Sequence, residues 1–151
     1  MHPWLSQLHG ALRIEEAAQR EAHAEAMALS PTDQIAAGVR WPVLRCTDET
    51  TRRGERLLLL RLPARGSLHE GIGAGDRVRV GHRGREADGR VMDAGETHAE
   101  VRLERGAPLS PELDGPVVVT LAFDGSTLVR MRQALERADE ATGSLKAALL
   151  P

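Results

Sequence analysis

Between Val39 and Leu121 apolar and polar residues alternate with a period of two, in six short runs broken by Gly, Pro and Asp. On either side of that stretch the period is that of a helix. A period of two sends successive side chains to opposite faces of an extended chain, so each run buries one face only as part of a sheet. The runs are Val39–Cys46, Glu55–Leu62, Asp76–Gly81, Gly89–Asp93, Thr97–Glu104 and Pro116–Phe123. The stretches DETTRRG, PARGSLHEGIGAG, HRGREAD and RGAPLSPELDG separate them and read as turns. Short strands punctuated at such intervals suggest a small barrel or sandwich. With helical segments only at the two ends, no strand–helix–strand alternation exists to build a parallel sheet.

The end segments are helical for different reasons. Residues 3–29 are rich in Ala, Glu, Gln and Leu, and Trp4, Leu8, Ala11, Ala18, Ala22, Met27 and Leu29 recur at roughly helical spacing. Pro31 in SPTD ends that helix, and a short turn at Asp33–Ala37 is expected before Gly38. From Asp124 on, Ser126 or Thr127 is a plausible N-cap. Leu128, Met131, Leu135, Ala138, Thr142, Leu145 and Leu149 then alternate in steps of three and four, with Gly143 weakening the seam. A one-sided seam needs a partner, and the N-terminal helix is the nearest. The expected fold is α+β: a small, mostly antiparallel six-stranded β-barrel on an antiparallel two-helix stalk. The stalk helix and linker would take residues 1–38, the barrel 39–123 and the second stalk helix 124–151.

Composition narrows the function. Trp4, Trp41 and Phe123 are the only aromatics, so the core rests on Leu, Val and Ala. Cys46 is the single cysteine, which leaves no disulfide framework and no cysteine metal site. Lys146 is the only lysine; arginine is the better phosphate fork, although a GC-rich genome produces the same bias. The N-terminus lacks the apolar run of a signal peptide, and nothing approaches the roughly 20 apolar residues of a membrane span, so a soluble, cytoplasmic protein is expected. Charge is uneven: residues 1–38 carry net −3, residues 106–151 net −2, and residues 39–105, with 14 Arg, net +3. Affinity for a polyanion should therefore lie on the barrel.

The glycines of GIGAGDRVRV (71–80) raise the question of a nucleotide site. A dinucleotide fingerprint needs a strand before the glycines and a helix after them, whose N-terminus holds the pyrophosphate. Here a loop precedes and a strand follows, and no Gly-Lys-Ser/Thr occurs. The glycines therefore serve a turn that feeds a strand. His69, His82 and His98 fall in the barrel without metal-ligand spacing, and Ser67 and Ser110 lack a nucleophile elbow. No catalytic set is legible.

Arg52, Arg53, Arg77, Arg79, Arg83, Arg85 and Arg90 form the densest basic cluster. Arg77 and Arg79 share one strand face, opposite Val78 and Val80. One reading is a surface that tracks phosphates. The other is an ordinary solvated strand face, partly neutralised by Asp76, Glu86 and Asp88. The scarcity of aromatics weighs against base stacking.

The order of a helix, SPTDQIAAGVRWPVLRC, strands with LHEGIGAGDRVRV, then VVVTLAFDGSTLVRMRQALERA resembles the N-terminal region of Upf1-like superfamily-1 helicases, the immunoglobulin mu-binding helicase group. Gly75-Asp76-Arg77-Val78-Arg79-Val80 matches that family's Gly-Asp turn feeding a strand. Ser126-Thr127, Arg130-Met131 and Ala134-Leu135 match its strand-to-helix passage. The resemblance implies a barrel inserted on a helical stalk and seated on a RecA-like motor, in cis or in trans. It also implies weak, salt-sensitive contact with single-stranded nucleic acid. No ATPase motif lies in these residues, so ATP and Mg would belong to an attached motor and no cofactor to this chain. Whether RNA or DNA is bound stays open. The alternative is a free-standing protein-interaction or regulatory module without nucleic-acid binding.

Overall fold

The computed structural model describes residues 3–68 and 71–140. Two tight hairpins set the register of its sheet. β1 (Leu44–Arg52) and β2 (Glu55–Arg61) are joined by Arg53-Gly54, with φ of 54° and 78°. β3 (Arg77–His82) and β4 (Arg85–Ala94) are joined by Arg83-Gly84, with φ of 49° and 76°. Two-residue turns with positive φ at both positions carry the twist that matches paired strands. Arg52 therefore stands opposite Glu55, and His82 opposite Arg85.

These hairpins correct two expected boundaries. The first strand runs not over Val39–Cys46 but over Leu44–Arg52, and the fourth starts at Arg85 rather than Gly89. DETTRRG and HRGREAD are mostly strand, because a turn needs only the Arg-Gly pair and the flanking Thr, Glu and Arg residues accept ladder positions. Residues 39–41 pair with β6 instead, through an Arg40–Thr120 bridge and Trp41 N–H to Val119 O at 3.1 Å.

With β5 (His98–Leu103) and β6 (Pro116–Leu121) the sheet closes in the order β1-β2-β5-β4-β3-β6, every neighbouring pair antiparallel. Bulges between Cys46 and Asp48 and between Val91 and Asp93 bend the two longest strands, as closure requires. The interior holds Leu44, Leu58, Leu60, Val78, Val80, Val91, Val101, Leu103, Val117 and Val119, with Trp41 as its one buried aromatic. Gly89 keeps the inner face of β4 clear: a Cβ there would stand 2.9 Å from the Arg102 carbonyl oxygen. Leu109 and Leu113 of the β5–β6 loop, and Leu68 and Ile72 of the β2–β3 connection, join the same core.

The chain forms two compact units, one running from Glu25 to Phe123 and the other joining the N-terminal part of α1 (Pro3–Met27) to α3 (Ser126–Glu140). In the first, Ser30 caps α2 (Pro31–Ala36) by accepting from Asp33 N–H at 3.2 Å. The buried Gln34 side chain donates to the Met27 carbonyl at 3.0 Å, serving the end of α1. In the second, Asp124 accepts from Ser126 N–H at 3.1 Å at the start of α3, and Arg132 pairs with Glu16 of α1.

The helix faces differ in detail from the expected seams. On α3 the covered positions are Leu128, Arg132, Leu135 and Asp139, whereas Met131 and Ala138 are exposed. Thr142, Leu145 and Leu149 lie outside the described residues. On α1 Leu5 is fully buried and Leu8 and Leu12 half-buried, while Trp4, Ala11, Ala18 and Ala22 are exposed. The stripe is rotated by about one residue because charged groups, Glu16 and Arg132, share it. The fold is thus mixed α+β: a closed six-stranded antiparallel barrel with N- and C-terminal helices in contact with each other.

Candidate nucleic-acid interface

The seven cluster arginines separate into two sets. Arg77, Arg79 and Arg90 lie on the barrel flank, where outward positions of adjacent strands meet. Arg77 reaches Asp88 at 3.5 Å and Glu104 at 3.6 Å. Arg79 reaches Glu86 at 3.5 Å and Asp88 at 3.6 Å. Arg90 donates to the Gly75 carbonyl at 2.6 Å. Much of the flank's positive charge is answered by neighbouring strands.

Arg52, Arg53, Arg83 and Arg85 sit at the hairpin tips, all exposed. The antiparallel order brings both tips and the β5–β6 loop to one end of the barrel, opposite the end where Val39 and Phe123 join it. None of these four has a carboxylate partner among the described residues; Arg85 alone makes a long bond, 3.5 Å, to the Pro108 carbonyl. Arg105 belongs with them. It is exposed, and its Nε lies 3.9 Å from where a Cβ on Gly54 would stand, at the β1–β2 tip. The cluster read from the sequence omits it. Arg-Gly dipeptides recur at 53–54, 65–66, 83–84 and 105–106, each glycine with positive φ, and all but 65–66 fall at this end of the barrel.

One arginine holds this end together. Arg56 is mostly buried and grips the Glu49 carboxylate with Nε and Nη2, the latter at 3.2 Å. Its Nη1 donates to the Leu109 carbonyl at 3.1 Å and Nη2 to that of Ser110 at 2.8 Å. The β5–β6 loop is thereby tied to the β1–β2 hairpin. On the other side, His82, buried at the end of β3, places Nε2 2.7 Å from the Asp114 carbonyl oxygen.

The glycine stretch answers its own question. Gly73 N–H donates to the Asp76 carboxylate at 2.8 Å, and Asp76 N–H to the Gly73 carbonyl at 3.1 Å. An anion from the chain itself occupies the turn that a phosphate cradle would need. His69 lies outside the described residues, and His98 opens β5. Among the described residues no group of three or more His, Cys, Asp or Glu could hold a metal ion. Burial, seconded by Glu49, pushes the Cys46 thiol pKa up, and its Sγ donates to the Asp48 carbonyl at 3.2 Å, which leaves it a poor nucleophile. No helix among the described residues is long and apolar enough to cross a membrane. The barrel end displays Arg52, Arg53, Arg83, Arg85 and Arg105, all exposed, on its turns.

No protein-family model matches the chain, and no curated protein shows significant similarity to it.

Proposed function

We propose that the chain is the accessory nucleic-acid-binding region of a superfamily-1 helicase of the Upf1-like group. In this reading the tip arginines contact the backbone of a single strand and hold it for a motor that supplies ATP hydrolysis. Phosphate contacts position a strand without reading its bases. The resemblance in the sequence motivates the helicase; the barrel end motivates the contact.

The observation that carries the contact is conformational. Arg53 and Arg83 are the two non-glycine residues with positive φ among the described residues, and each fills the first position of a hairpin turn. Asn, Asp or Gly is preferred there. A side chain such as arginine costs about 1–2 kcal/mol in the left-handed region. Both turns keep an exposed arginine with no carboxylate partner among the described residues at that cost, which is expected where the guanidinium itself is needed.

The double variant Arg53→Asn/Arg83→Asn tests this. It relieves the backbone while removing the charges, so the melting temperature should hold or rise. Affinity for labelled single-stranded RNA or DNA should fall about tenfold, and the log–log salt slope should lose about 1.4, roughly 0.7 per phosphate contact. Unchanged affinity and slope would overturn the reading. The second reading, a protein-interaction module, draws on Val129 and Met131, 42% and 49% exposed on α3. A pulldown that recovers a helicase free of nuclease-sensitive material would favour it.

A further inference from the structure

Gly81 occupies an outward position of β3, with Val118 of β6 and Glu86 of β4 as its cross-strand neighbours. Neither usual reason for a glycine applies. Its φ is not left-handed, and a Cβ built there would come no closer than 3.8 Å to any atom, an ordinary contact with Val118. A strand-interior glycine costs about 0.5–1 kcal/mol relative to alanine, and often marks the approach of a ligand or another backbone.

The missing side chain opens a groove of about 330 Å³. Pro116 and Val118 line it, and Arg83 and Arg85 border it. Glu86, the acid at its edge, is engaged by Arg79 at 3.5 Å. The groove therefore combines an aliphatic wall with guanidinium groups that have no carboxylate partner among the described residues.

We propose that this groove seats one unpaired base of a single-stranded nucleic acid, with the flanking phosphates on Arg83 and Arg85. The inference rests on the nucleic-acid reading above and adds the place of the base. Trp41 is buried in the core, Trp4 lies on α1 and Phe123 is half-buried, so the outer face of the barrel strands carries no Phe, Tyr or Trp platform. A base packed on Pro116 and Val118 beside an arginine plane keeps part of that contact. A paired base stays in its stack and does not enter.

Gly81→Leu fills the groove without removing a charge. Wild type and variant are titrated with a thymidine homopolymer and with a blunt duplex of equal length, at low and moderate salt, and both proteins are melted. The proposal expects single-strand affinity to fall about tenfold in the variant, with duplex affinity and salt slope unchanged. Equal single-strand affinity in a folded variant overturns it, as does an equal loss on both ligands. Should Gly81→Leu not fold, Val118→Ser removes the aliphatic wall instead and carries the same expectations. Wild type binding neither oligonucleotide is a separate result: it refutes the nucleic-acid reading itself, and this groove assignment with it.

Discussion

Replacing Arg56 by alanine should destabilise the barrel more than any other single arginine substitution. The guanidinium bonds the Glu49 carboxylate twice and the Leu109 and Ser110 carbonyls once each. Side-chain exposure is 17% for Arg56 and 23% for Glu49, so water replaces only part of what is lost. Breaking a fully buried pair by removing one partner costs about 3–5 kcal/mol, and an exposed pair is worth about 0–1. The intermediate burial puts Arg56→Ala at about 2–3 kcal/mol. For a unit of this size each kcal/mol moves the melting temperature by about 4–8 °C, so a fall of about 10–20 °C is expected. Glu49→Gln should cost less, and a double-mutant cycle should give a coupling of about 1–2 kcal/mol. Hydrogen exchange should meanwhile speed up in the β5–β6 loop. A single variant melting within about 2 °C of wild type, or additive singles, would refute the claim that this arginine ties the loop to the hairpin.

Gly89→Ala should cost about 1–3 kcal/mol by thermal melt, because its Cβ would meet the Arg102 carbonyl at 2.9 Å, whereas Gly81→Ala, with room for its Cβ, should stabilise by about 0.5–1 kcal/mol. On α3, Leu128→Ala should cost about 2–3 kcal/mol and Met131→Ala less than about 0.5, as their exposures of 7% and 49% require; Leu135, half-buried, should fall between. Hydrogen bonds from Arg20 and then Arg132 lower the Glu16 pKa below its ordinary value of 4.5. A carboxylate depressed in the folded state contributes stability above its unfolded pKa and loses it as pH falls through the folded one. Helix content followed by circular dichroism should therefore drop in wild type below about pH 4.5, and Glu16→Gln should flatten that limb.

The barrel was legible because its cause is local. Alternation in DRVRV and HAEVRL is written residue by residue, and the pleat sends every second side chain inward whatever the neighbours do, even in the apolar runs LLLL and VVV where residue type does not mark the inner face. The same locality explains the two corrected boundaries: Thr, Glu and Arg are permitted in both turn and strand, and only pairing with β2 and β3 decides that Thr50 and Arg85 belong to ladders. The helix stripes went astray by about one residue because the sequence shows which residues are apolar, not that Glu16 and Arg132 would share the contact. The arginine cluster shows the limit most directly. In sequence Arg77, Arg79, Arg83 and Arg85 are one run. Pairing of β3 with β4 puts Glu86 and Asp88 beside the first two, β5 adds Glu104, and the Arg83-Gly84 turn leaves the last two outward at the hairpin tip. Pairing also brings Arg105 to Gly54 from 51 positions away. Charge type is a property of the residue, but which charge is answered depends on strand register, and only the pairing of the strands sets that.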